Sequence, residues 1–256
     1  MDVGKCKLCG RDNVTLRFSH IIPEFAYKPV YDANHRFIDF TEDPKSGAKF
    51  VQKGVREYLL CGDCEVLLSR YENDLSDFVI NFFVTKNNVN KIYGPHTLIT
   101  KIKYDSIKIG ILSIIYRMSV SRLPQYSGYQ LGTYEDIIKD IILNNKHTDR
   151  YTFSTHISPV TRNGISYPDL IMTYEKPTTY KNHFKIQCFI MYGLLFDVMI
   201  SRIDKDDIWH FFSLREKGKI ILNEIELKDT NIKTGIVSRY QDADMKKLIE
   251  KLVPKK

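Results

Sequence analysis

The sequence predicts an α+β chain in which a metal-bound N-terminal region is followed by helices and then by strands. Three observations carry that reading. Four of the five cysteines fall in two Cys-x-x-Cys pairs, Cys6–Cys9 and Cys61–Cys64. After Cys61, apolar residues recur at three- and four-residue steps, the period of one helix face. Beyond Tyr151 they alternate with polar residues instead, the period of a strand. The chain has 256 residues, 43% hydrophobic and 27% charged, which is ordinary for a globular protein and too apolar for disorder.

The elements follow in order. Tyr31 to Gly54 mixes charges with Pro44, Gly47 and Gly54 and reads as a long hairpin or loop excursion. A helix opens after Cys61, with Leu67, Leu68, Tyr71, Leu75, Phe78 and Val79 on its apolar side. A second runs from Tyr104 to Arg122 on Ile107, Ile111, Ile114, Ile115 and Met118, closed by Pro124. Thr133, followed by Glu135 and Asp136, is a fitting N-cap for a third through Ile142. Phe184 to Tyr192 alternates as a half-buried strand does, and Leu194–Ile200, Ile208–Leu214 and Lys219–Leu227 read as further strands. A last amphipathic helix is expected over Asp242–Leu252. The expected division is a zinc module over 1–85 and an α+β domain over 86–256.

No stretch reaches the ~18 clean apolar residues of a membrane helix. The nearest, Cys188 to Ile200, is broken by Gly193 and Asp197. The opening MDVGKCKLCG lacks the apolar core of a signal peptide. A cytoplasmic chain with reduced cysteines is therefore expected, and no membrane partner.

Fifty-one residues separate the two cysteine pairs. Two residues between cysteines let one tight turn aim both thiolates at one metal, and two such turns complete a tetrahedral site. A redox Cys-x-x-Cys explains one pair but not two. Zn²⁺ on Cys6, Cys9, Cys61 and Cys64 is then structural, since four thiolates leave no open position. Gly10 and Gly62 are expected to ease the turns. Cys188 lies in an apolar pattern and reads as an ordinary buried thiol.

The net charge is +7 with a pI near 9.0. Residues 1–75 carry 11 Lys/Arg and 12 Asp/Glu, so the +8 balance of the remainder would supply any long-range attraction to nucleic acid. A Lys-rich solvated surface would give the same count. Arg117 and Arg122, near the polar end of the second helix, and the many aromatics could contact phosphates and bases, although core packing is the commoner use of aromatic rings. His96, His147, His156, His183 and His210 are scattered and read as structural.

Between the cysteine pairs lies Ser19-His20-Ile21-Ile22-Pro23, and the second pair stands in Leu59-Leu60-Cys61-Gly62-Asp63-Cys64-Glu65. This combination, over residues 6–75, resembles the HNH or His-Me finger endonucleases, in which a Cys-x-x-Cys knuckle precedes an x-His-Ile-x-Pro segment and a second knuckle opens a helix. Together with Leu112-Ser113-Ile114-Ile115-Tyr116-Arg117, these segments also look like those of uncharacterised bacterial HNH-like proteins of this size. The resemblance implies a zinc-bound ββα module and a metal-dependent endonuclease acting on DNA, in a setting such as bacterial restriction or anti-phage defence. RNA would be open to the same chemistry. His20 would be the general base, and Mg²⁺ or Mn²⁺ would sit on oxygen ligands. The packed-histidine alternative makes His20 a support for the knuckles.

The chain departs from the family pattern in three places. Ser19 occupies the position before the base, where the family has an acidic residue or histidine. The base-orienting asparagine would fall near Arg56. The helix after Cys64 lacks the expected histidines and offers Glu65, Ser69 and Glu72, which steps of four and three place on one face. Ser19, Glu65 and Glu72 are therefore the expected partners of His20, with a solvated helix face as the alternative for the two glutamates. These departures also admit a catalytically inactive zinc module that binds nucleic acid or a protein.

Overall fold

The computed structural model of the chain describes residues 2–40, 48–84, 89–93, 96–174 and 177–230. Its helices and several sheets have the mixed α+β character that the sequence predicts. The chain opens with β1 (Asp2–Gly4), antiparallel to β2 (Val14–His20), and a 3₁₀ helix over Glu24–Val30 follows. The excursion after Tyr31 contains the hairpin β3 (Phe37–Phe40) and β4 (Ala48–Val51). β5 (Arg56–Cys61) returns to pair antiparallel with β2, and α1 (Gly62–Val84) leaves directly from its end.

The hairpin of β6 (Val89–Tyr93) and β7 (His96–Thr100) carried no clear sequence signal and precedes α2 (Tyr104–Val120) and α3 (Tyr134–Asn144). Then come β8 (Thr155–Arg162), β9 (Ile165–Ser166), β10 (Met172–Thr173), β11 (Thr178–Tyr180), β12 (Phe184–Met191) and β13 (Leu194–Met199). β14 (Lys219–Asn223) joins β7, and β15 (Ile225–Glu226) runs parallel to β8. The main sheet has the order β10-β12-β13-β8-β15, with β11 on β12 and β9 on β8. No helix among the described residues is long and apolar enough to cross a membrane.

The apolar face expected for α2 is buried throughout. Thr133 takes the cap position of α3 without a side-chain cap bond, while Glu135 and Asp136 lie in its first turn, where the helix dipole favours them. Two expectations are corrected. Ile208–Phe212 is a 3₁₀ helix, not a strand, because the Asp207 carboxylate accepts the Trp209 N–H at 2.9 Å and starts a turn. β12 is buried on both faces: Gln187, expected at the solvent side, is 1% exposed and its amide donates to the Gly128 carbonyl. The helix expected over Asp242–Leu252 lies outside the described residues.

One buried cluster takes Cys6, Ile21 and Leu68 from the first part of the chain and Ile111, Phe153 and Phe196 from the second. α1 and α2 meet closely at Gly110, where a Cβ would stand 3.2 Å from the Tyr71 carbonyl oxygen. On β12 and β13, Phe189 and Phe196 enter this cluster, whereas Ile186, Cys188, Ile190 and Leu195 enter a second one on the other face. The β12–β13 turn places Tyr192 and Gly193 at φ +56° and +70°, as a two-residue hairpin requires. A Cβ on Gly193 would lie 2.2 Å from the Tyr167 carbonyl oxygen. Gly193→Ala is therefore expected to cost well over ~1 kcal/mol, read as a lower midpoint of thermal unfolding. An unchanged midpoint would contradict the turn geometry.

The second face holds a row of polar groups in register: Cys188 opposite Asp197, and Asp197 opposite His156. Burial pushes the Asp197 carboxyl up to about 6 and the His156 imidazole down to about 4. For Asp197 the folded state thus binds the proton more tightly than the unfolded chain. Its contribution favours folding at low pH and is lost as pH rises from about 4 to about 6. Asp197→Asn is accordingly expected to raise the unfolding midpoint at pH 7 more than at pH 4. Equal shifts at both values would refute this assignment.

Candidate metal centre and the adjoining histidine

The first knuckle is a tight turn between β1 and β2. The Gly10 N–H donates to the Cys6 carbonyl at 3.0 Å, the Cys6 N–H to the Arg11 carbonyl at 2.9 Å, and Gly10 takes φ +76°. The second is the junction of β5 and α1, with Cys61 ending the strand and Cys64 in the first helical turn. Gly62 does not take a left-handed conformation, so the flexibility expected of it is needed only at Gly10.

The four sulfur atoms lie within 4.8 Å of one another, with Cys6–Cys64 at 3.7 Å and Cys9–Cys61 at 3.8 Å. Zn–S bonds of ~2.3 Å in a tetrahedron place sulfurs ~3.8 Å apart, so the cluster can hold a metal such as zinc. None of the cysteines is disulfide-bonded. Cys6 is held well below its ordinary value by the Cys64 thiol first, and by the Cys9 and Cys61 N–H groups. Cys64 rises correspondingly, through the same contact with Cys6 and through burial. Arg11 donates to the Cys61 sulfur at 3.1 Å and the Cys9 sulfur at 3.4 Å, and pairs with Asp63. It would offset part of the negative charge of a tetrathiolate.

β2 carries Ser19 and His20 away from this cluster to the other end of the strand pair. Ser19 is 2% exposed, and its hydroxyl donates to the Glu65 carboxylate on α1. Burial pushes Glu65 above the usual carboxylate range. His20 turns its Nε2 onto Glu24 Oε2 at 2.6 Å. That nitrogen is buried, so the exposed quarter of the side chain lies elsewhere on it. Burial outweighs the opposing Glu24 charge and, with the Arg56 and Arg117 charges, holds the imidazole below its ordinary value and therefore neutral at pH 7. The second Glu24 oxygen accepts from the Tyr31 hydroxyl at 2.6 Å.

Glu72 faces Arg117, Oε1 to Nη2 at 2.6 Å, and Arg117 also donates to the His20 carbonyl at 2.8 Å. Arg117 is 1% exposed, so it is not the surface phosphate contact that sequence suggested. Ser69 is exposed and its hydroxyl caps back to the Val66 carbonyl. Among the described residues, no His, Asp or Glu group matches the compactness of the cysteine cluster. The five other histidines that the sequence left as scattered pack elsewhere, His96 on Phe212, His147 on Asp105, His156 on Trp209, His183 on Phe184 and His210 on Tyr151.

Sequence reading missed Glu24 and the role of Arg117. The His20–Glu24 spacing of four, across Pro23, was the available signal for a turn that folds one onto the other. An arginine inside the apolar run Ile107–Met118 was the signal for a buried pair. Comparison with protein-family models, curated proteins and solved structures finds no significant match. Breaking a buried pair costs about 3–5 kcal/mol because the remaining charge is left buried, so Glu72→Gln, which strands Arg117, is expected to lower the unfolding midpoint strongly and Arg117→Met, which leaves the partly exposed Glu72, to lower it less. Wild-type melting of Glu72→Gln would show that the pair does not hold α1, α2 and β2 together.

Proposed function

We propose that the chain is a metal-dependent endonuclease that hydrolyses phosphodiester bonds in DNA, built on a zinc-held ββα module of the His-Me finger kind. The observation that carries this reading is the His20–Glu24 contact; Ser19 meets Glu65 on the other face of β2, at the same end of the strand. A carboxylate close to Nε2 favours the tautomer with its proton there, which would leave the Nδ1 lone pair to accept one from water. As that proton moves to His20, the water oxygen bonds to phosphorus, the bond to the departing oxygen breaks, and that oxygen takes a proton from solvent. Glu24 thus does the orienting expected of a residue near Arg56.

Glu65 could serve a hard cation: its carboxylate accepts directly from the neutral Ser19 hydroxyl, while the Arg117 charge acts on it without a direct contact. Mg²⁺ or Mn²⁺ held by Glu65 with Ser19 would stabilise negative charge on a phosphate bound at the end of β2. The anionic ligand then comes from the helix instead of the position before the base. Glu72 is compensated by Arg117, so we assign it to positioning: it fixes Arg117, which holds the His20 carbonyl. Four thiolates leave Zn²⁺ a structural role.

The Glu72–Arg117 pair also favours a second reading, because it leaves fewer free carboxylates for a catalytic ion. In that reading the module is inactive and binds nucleic acid or a protein. Incubating the full chain with plasmid and single-stranded DNA in Mg²⁺, Mn²⁺ or Zn²⁺ separates the two. Nicking that disappears in His20→Ala supports the nuclease. No cleavage with any ion supports the inactive module.

A further inference from the structure

β2 and β5 present a second surface beside His20. Their register sets Phe18 opposite Tyr58 and His20 opposite Arg56. Cross-strand partners share a face, and so do residues two apart on one strand. These four side chains therefore stand together, on the face opposite Ser19. The Phe18 and Tyr58 ring centres are 4.8 Å apart with planes inclined by 32°. The Arg56 guanidinium lies 4.6 Å from the centre of the Phe18 ring. Phe18 and Tyr58 remain 47% and 43% exposed.

A cross-strand aromatic pair steadies a sheet by about 0.2–1 kcal/mol, but that role does not require open ring faces. Here both side chains are nearly half exposed, a guanidinium is laid across the Phe18 ring, and the neutral histidine is the next residue along the same face. Exposed rings bind nucleobases by stacking, without regard to sequence. In a duplex the base faces already cover one another, so such a surface selects unpaired bases. Arg56, and the exposed Arg17 on β2, supply the charge a phosphate backbone needs.

We propose that Phe18, Tyr58 and Arg56 form a stacking platform for the unpaired bases of single-stranded DNA, which would lay the adjoining phosphate beside His20. The proposal deepens the nuclease reading by naming its substrate class, yet the stacking itself does not require cleavage.

The test is fluorescence polarisation of a labelled oligothymidylate of ~10 nucleotides with the zinc-loaded full chain and no added Mg²⁺ or Mn²⁺, beside a duplex of equal length and an oligouridylate. Stacking on aromatics is worth about 1–3 kcal/mol per base. Phe18→Ala and Tyr58→Ala are expected to weaken single-strand binding about 5- to 100-fold while leaving duplex binding nearly unchanged. Phe18→Tyr and Tyr58→Phe should restore it. Melting curves confirm that each variant is folded. Preference for oligouridylate would overturn the assignment to DNA. Unchanged single-strand binding in both alanine variants, an equal loss on single strand and duplex, or no binding by the wild type would overturn the platform; the last outcome would point to a protein on this face. If wild type fails to cleave with any ion but single-strand binding still depends on Phe18, the nuclease reading fails and the platform stands.

Discussion

Replacing Cys61 with serine is expected to release the metal and unfold the region around it. Zinc binding contributes on the order of 10–16 kcal/mol in small zinc modules, and Cys61 stands at the strand-to-helix junction that faces the first knuckle. There the Cys61 N–H donates to the Cys6 sulfur at 3.3 Å, beside the Lys7 N–H bond to the Leu59 carbonyl at 3.0 Å and the Arg11–Asp63 pair. Freshly purified wild-type protein should contain about one zinc per chain, and Cys61→Ser should contain far less and aggregate. Metal analysis that finds no zinc in reduced wild-type protein would remove the ground for a zinc-held module. Full retention of zinc and fold in Cys61→Ser would show that three thiolates suffice.

His20→Ala should lower the rate of DNA cleavage by about 10²–10⁴-fold while leaving zinc content unchanged. The imidazole is not a ligand of the cysteine cluster, and its removal leaves the Arg117 bond to the His20 carbonyl in place. Glu24→Gln should lower the rate less, because an amide can still meet Nε2 but no longer stabilises a positive imidazolium. Equal cleavage by wild type and a zinc-replete His20→Ala preparation would rule out His20 as the base. A loss in Glu24→Gln as large as that in His20→Ala would show Glu24 to be more than an orienting group.

Some of this protein was determined by local sequence alone. Two residues between cysteines confine both thiols to one turn, so the four-cysteine cluster was legible before any fold was known. The apolar steps of α1 and α2 were legible for the same reason, since a helix face is set within a few turns. The main sheet was legible in outline but not in its surroundings: Gln187 reads as a solvent-side residue until Gly128 supplies its partner. Ile208–Phe212 reads as a strand until the Asp207 carboxylate captures the Trp209 N–H.

The surroundings of His20 were decided by tertiary structure. Glu24 reaches it only because the chain turns after Pro23. Arg117 reaches its carbonyl from 97 residues away, through the packing of α2 on α1. Pairing with β5 is what places Arg56 opposite His20 and leaves Phe18 and Tyr58 exposed beside it. Sequence period tells a residue which side of its own element it occupies. It does not tell which distant element will cover that side, because that depends on how the apolar faces of all elements close over one another.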